Sequence, residues 1–257
     1  MSVKFTILGC GYSFGVPRID GSFGKCNPNN IKNYRTRCSA LISTSKINIL
    51  IDTSPDIKLQ LIKNKIKSIN KIFYTHPHAD QTHGINEMRF FYLKNKLKIP
   101  VYADPMTKKY LISTFKYCFK QTSNYPPTLE MRNLKKLHKI GSGKSAITLK
   151  SIKVQHGKIN SISYIINNKC AYASDVSKIF TKDLYKFKNL KYLVIDCLRY
   201  KYHPSHYNLE DIFKLVSIIK PKKTILTNLN NEIDYTNVKK ILPKNIIPAY
   251  DGLSINL

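Results

Sequence analysis

No stretch of the chain approaches the roughly 20 consecutive apolar residues needed to cross a bilayer, and its opening runs into a strand-like segment with no basic leader before it. The expectation is a soluble, cytoplasmic protein with no membrane partner. Gly/Ser-rich and Pro-rich linkers are missing as well, so the 257 residues, 42% of them hydrophobic, are read as one domain spanning 1–257 with material for a substantial core. Close cysteine pairs are absent. Cys10, Cys26, Cys38, Cys118, Cys170 and Cys197 are scattered, which argues against a disulfide scaffold or a zinc ribbon and leaves reduced thiols.

Acidic residues and arginine are scarce. Fifteen Asp and Glu against 43 Lys and Arg leave a formal charge of +28, a balance that ordinarily points to a polyanionic partner. Only Arg18, Arg35, Arg37, Arg89, Arg132 and Arg199 are arginines, however, and the lysines come mixed with Ile and Asn. A nucleic-acid reader invests instead in arginine forks and stacked aromatics. A solvated lysine surface is therefore favoured over a nucleic-acid patch.

Strand-type runs recur along the chain, at 3–8, 47–51, 72–74, 100–102, 147–154, 161–166, 169–173, 192–195 and 224–227. A helix is predicted over 209–219, with Asn208 as N-cap, Glu210 and Asp211 in the first turn and Pro221 as the stop. Runs of strands interrupted by a few helices predict β-sheets covered by helices rather than a regular βαβ array. Gly9, Gly11 and Gly15 invite comparison with a dinucleotide loop, but the third glycine comes one position late and Pro17 follows closely, so a turn after the first strand is expected.

The informative segment is Tyr74-Thr75-His76-Pro77-His78-Ala79-Asp80-Gln81-Thr82-His83-Gly84, directly after an apolar strand. In an extended loop His76, His78 and Asp80 would project to one side, and imidazole with carboxylate suits zinc or a similar divalent ion. Three histidines in eight residues do not make a core pattern. His156 beside Gly157 and Asp175 at a strand end are, by themselves, ordinary loop residues.

This segment resembles the H-x-H-x-D-H signature of the metallo-β-lactamase superfamily. More narrowly, the chain resembles the PhnP-like branch, which includes a phosphoribosyl cyclic phosphate phosphodiesterase. The residues carrying that likeness are Leu8-Gly9-Cys10-Gly11, Gly15-Val16-Pro17-Arg18, 33–39, 52–56, the histidine loop and Tyr250-Asp251-Gly252. The resemblance implies an α/β (αββα) sandwich, two mixed β-sheets flanked by helices. It also implies metal ligands at His76, His78, Asp80, His156 and Asp175, with Asp175 the bridging carboxylate and His206 the proton donor to a leaving oxygen. Zinc is the implied ion, one or two per chain.

Two positions depart from the pattern. Gln81 stands where the signature ends in histidine, and Thr227-Asn228 replaces a late Thr-His pair. Both losses fall on the second metal, which should then bind zinc poorly, favour manganese or magnesium, or be missing. His83 is assigned a supporting role beside the ligands, and His138, in a lysine-rich run, a solvated surface position. Cys26 and Cys38 are too few and too far apart to establish a further zinc site.

The resulting expectation is a metal-dependent hydrolase, a phosphodiesterase acting on a small cyclic phosphate, with Asp80 and His206 as its catalytic groups. The rival readings are an RNA-processing nuclease of the same superfamily and a non-catalytic binding protein that has lost its second metal. A homodimer is compatible with the sequence.

Overall fold

The computed structural model describes residues 3–122 and 125–257. Fourteen strands are formed among them. They are β1 (Lys4–Gly9), β2 (Ser39–Ser43), β3 (Asn48–Ile51), β4 (Lys71–Phe73), β5 (Ile99–Ala103), β6 (Leu129–Asn133), β7 (Leu137–Ile140), β8 (Ile147–His156), β9 (Ile159–Ile166), β10 (Cys170–Ala173), β11 (Tyr192–Asp196), β12 (Lys223–Thr227), β13 (Ile246–Pro248) and β14 (Ser254–Asn256). They assemble into two seven-stranded sheets ordered β14-β1-β2-β3-β4-β5-β6 and β13-β12-β11-β10-β9-β8-β7.

Both sheets are mixed: β1, β2 and β3 pair antiparallel before β3 to β6 run parallel, and β7 to β10 pair antiparallel before β10 to β13 run parallel.

Alternation along the strands builds the layers, because successive side chains point to opposite faces. Phe5, Ile7, Ala40, Ile42, Ile49 and Ile51 face the other sheet, meeting Leu149, Tyr164, Tyr172, Val194 and Ile225 in a shared core. Their neighbours Leu8, Leu41, Leu50 and Ile72 turn outward onto the helix Ile57–Lys63 and others. On the far side Val154, Ala171, Leu193 and Ile195 pack against helix Leu209–Ile219. The result is the αββα sandwich.

That helix forms over the predicted residues, with Asn208 and Asp211 capping it reciprocally. This helix thus follows from a period-3.6 pattern visible in the chain, and nine of the fourteen strands from strand-type runs. The first two opening glycines allow close backbone packing. A Cβ at Gly9 would lie 2.2 Å from the Arg37 carbonyl oxygen, and one at Gly11 2.7 Å from that of Arg35.

Parallel strands also decide where the polar residues collect. The C-terminal ends of β4, β10, β11 and β12 open on one rim, where the histidine loop, Asp175, Asp196 and Asn228 follow, and His156 closes β8 at the same place. Two hydrogen bonds across the sheets hold the histidine loop there: Ile162 N donates to Thr75 O (2.9 Å) and the buried Tyr164 hydroxyl to Tyr74 O (2.6 Å).

Candidate metal centre

Three imidazoles converge on the rim. His76 Nε2 lies 3.0 Å from His78 Nδ1, and His156 Nε2 lies 3.3 Å from the same atom. The tautomers of two rings follow from their other nitrogens. The Thr75 hydroxyl donates its only proton to the buried Asp52 carboxylate (2.8 Å), so it accepts from His76 Nδ1–H at 3.0 Å. His156 Nδ1 lies 2.7 Å from the Ser205 carbonyl oxygen, an acceptor only, and must carry hydrogen. Both rings therefore present a bare Nε2 to the shared point. Burial, aided by the neighbouring imidazoles, keeps His76 neutral, with its pKa pushed down to about 3.

Two lone pairs facing one nitrogen at this range require a cation or a proton between them. One proton on His78 could serve only one partner at a time, whereas a divalent ion takes all three nitrogens. The donor set fits zinc, with three imidazoles and a carboxylate close by. The Nδ1–H bonds to Thr75 and Ser205 are of the kind that orient histidines in metal sites. Gly157 makes the second of these approachable. Its φ is +56°, and a Cβ there would stand 2.4 Å from Ser205 Oγ.

Asp175 lies on the same wall. Burial pushes its carboxyl up, but His76, His156 and His206 together hold it below the usual carboxylate range. Asp175, His156 and His206 bring one ligand-type atom each to within 4.8 Å of one another.

Asp80 reaches the pocket by a different route from the one expected. The loop is extended only to His78 (φ −60°, ψ 152°), and Ala79–Thr82 is a helical turn that carries Asp80. The i, i+2, i+4 projection from an extended loop therefore stops at His78, because the chain must turn to bury Gln81 and Thr82. Asp80 lines the pocket with His78, His156 and Asp175, but among the described residues it stands outside the tight ligand clusters. Burial and the adjacent Asp175 raise its pKa to about 6.

His206 donates Nδ1–H to Asp196 Oδ2 at 2.6 Å. Burial works against a charged ring, but Asp196, with Asp175 and Asp80 behind it, outweighs burial and raises the His206 pKa to about 9. Asp196 is fully buried at the end of β11, where its Oδ2 also accepts from Val176 N at 2.9 Å.

Asp196 and Asp52 are the groups that sequence reasoning missed. The readable signal for Asp196 was an acid ending an apolar parallel strand. Asp52 lay inside a segment valued only for its likeness.

The pocket encloses about 370 Å³, and Tyr12, Phe14, Leu198, Arg199 and His203 complete its wall. His83 is elsewhere. It is exposed, stacked edge-on against Phe115 with Nδ1 3.1 Å from Thr82 Oγ1. His138 is not a surface residue: it is buried, accepts a hydrogen bond from Lys135 N (2.9 Å) and packs on Phe73 and Tyr102. On the alternating strand β7 its side is the inner one, which its lysine neighbours concealed.

Residues 47–227, which include His76, His78, Asp80, His156, Asp175 and His206, match the beta-lactamase superfamily domain. The chain belongs to this superfamily. A crystal structure of a new diphosphatase from the PhnP family is similar over 100% of this chain and 98% of that one, with a TM-score of 0.90 and 29% identity. The chain is thus a PhnP-like protein of the metallo-β-lactamase fold.

The fold likeness extends to zinc-bound PqqB from Methylobacterium extorquens (TM-score 0.76, 16% identity, 99% of this chain and 100% of that one). It extends also to the short form of human tRNase Z (TM-score 0.69, 15% identity, 98% of each chain). An octanoyltransferase of Porphyromonas gingivalis is 28% identical over 254 residues, 98% of this chain and 51% of that protein. The chain therefore spans about half the length of this curated relative. Among the described residues of this superfamily member, no helix is long and apolar enough to cross a membrane.

Proposed function

We propose that the protein is a metal-dependent phosphodiester hydrolase acting on a small substrate, with a cyclic phosphate as the favoured class. The observation that carries this reading is the meeting of bare imidazole nitrogens and a His206 paired with Asp196 in one pocket. His76, His78, His156 and Asp175 would hold the ion. A divalent ion in this setting supplies Lewis acidity to water and to a phosphoryl oxygen.

The chain's own groups do the rest. Asp80 accepts a hydrogen bond from the attacking water and so orients it. His206, kept protonated by Asp196, gives its Nε2 proton to the departing alkoxide. Arg199 is the arginine on the pocket wall and steadies the phosphate charge. A pocket of about 370 Å³ suits a compact diester. The diphosphatase activity named for the PhnP-family relative supports chemistry at phosphorus. The octanoyltransferase name covers a protein twice as long and does not assign acyl transfer to this half.

The test is hydrolysis of small phosphodiesters and cyclic phosphates by zinc-loaded protein. Turnover is expected to vanish in His156→Ala together with most of the bound metal. Full turnover in a variant that has lost its metal would overturn the reading. Faster cleavage of structured RNA than of any small diester, suppressed steeply by moderate salt, would transfer the function to RNA processing.

A further inference from the structure

We infer that this chain is built for a single divalent ion, because Gln81 and Asn228 fill the place of a second cation with amide N–H groups. The inference rests on the metal-centre reading above and concerns the other side of Asp175.

Two carboxylates, the half-buried Asp80 and the buried Asp175, stand together on the pocket wall, and such a pair needs a cation or strong donors between its oxygens. Here the donors are amides. Gln81 Nε2 lies 3.1 Å from Asp80 Oδ2 and 3.3 Å from Asp175 Oδ2, bridging the pair. Asn228 Nδ2 lies 3.1 Å from Asp175 Oδ1 and 3.0 Å from the Ser174 carbonyl oxygen. Both side chains are buried.

The orientation of the two amides is dictated by chemistry. All four partners are acceptors, so turning either amide over would set oxygen against oxygen. An amide nitrogen has no lone pair to give a metal, and the atom that could ligate is its oxygen. Gln81 Oε1 is buried and has no hydrogen-bond partner among the described residues. It is left unsatisfied so that Nε2 can serve the two carboxylates. For Gln81 to become a ligand, both of those hydrogen bonds would have to break and its side chain turn.

The remaining imidazole near Asp175 belongs to His206, which is tied through Nδ1 to Asp196. Asn228 Nδ2 also lies 3.2 Å from that Nδ1, but with its hydrogen committed to Asp196 the nitrogen cannot accept, so the contact is only packing. The carboxylate side is therefore closed by neutral donors, and the imidazole side remains for the ion.

The experiment is metal counting on the folded protein. Wild-type chain is saturated with zinc, passed through gel filtration and measured by elemental analysis and native mass spectrometry. About one zinc per chain is expected, rising to about two in the Gln81→His/Asn228→His double variant, which puts imidazole lone pairs where N–H groups now stand. Two zinc ions retained by the wild type would overturn the inference while leaving the hydrolase reading in place. No zinc at all would overturn both. A double variant with wild-type circular dichroism and melting temperature that still retains a single zinc would also overturn it. If the double variant does not fold, the wild-type count alone decides.

Discussion

The buried Asp52 works through one proton. By taking the Thr75 hydroxyl hydrogen it leaves Thr75 only its lone pairs for His76, and so selects the ring tautomer that faces the pocket. A second carboxylate can be read in the same terms. Asp56 accepts from Arg37 N (2.9 Å), Nε (2.7 Å) and Nη2 (2.5 Å), a bidentate pair reinforced by the backbone. Burial pushes Asp56 up, but the Arg37 contacts win and hold its pKa below the ordinary value. A depressed folded pKa means stability that is fully present above the ordinary aspartate pKa near 4 and is lost as pH falls through the lower folded value. Asp56→Asn is expected to cost about 1–3 kcal/mol at pH 7. Urea denaturation of both proteins should show that gap shrinking towards pH 3, and a gap independent of pH would mean that the charge contributes nothing.

Elements with a strong period are legible in the sequence, and those without one are not. Helix Leu209–Ile219 shows its buried stripe at Leu209, Ile212, Leu215 and Ile219 together with a cap, and it forms over the predicted residues. Strands β2, β6, β7, β13 and β14 went unread. The exposed Glu130 and Arg132 of β6, and the lysines around β7, hide inward-facing partners, while β13 and β14 are three residues each and depend on pairing with neighbours. His76 and His78 stand out because three of the seven histidines fall within eight residues, whereas His156 and Asp175 become candidates only through the family resemblance. Their supports do neither. Asp196, Asp52 and Ser205 act through contacts set by tertiary packing, and the helical turn under Asp80 follows from burial of Gln81 rather than from local propensity.

The cap of helix Leu209–Ile219 lies two residues after His206, so it also fixes the loop that carries this ring. Asn208 Oδ1 accepts from Asp211 N at 3.0 Å, and Asp211 Oδ2 from Asn208 N at 3.3 Å. Asn208→Ala should cost about 1 kcal/mol, read from the shift in denaturation midpoint. A loss of only a few tenths would show that the apolar stripe alone holds the helix.

At the scale of the whole molecule, the candidate ligands are divided between the two sheets. His76, His78 and Asp80 follow a strand of one, while in the other His156 ends a strand and Asp175 follows one. An ion held by both groups ties the halves of the sandwich together and binds the folded state alone. At a hundredfold excess over Kd, zinc should add about 3 kcal/mol, which for a chain of this size is about 5–10 °C in melting temperature. Calorimetry with zinc and with a chelator measures this directly, and identical melting in both would mean that the imidazoles hold no ion.

All six cysteines are buried in the sandwich. Burial pushes the thiols of Cys10, Cys38, Cys170 and Cys197 well above their usual range, which starves them of thiolate, the form that reacts with maleimides. The native protein is in this respect already a labelling scaffold. One cysteine introduced on the surface can carry a dye or spin label at a chosen position without removal of any of the six.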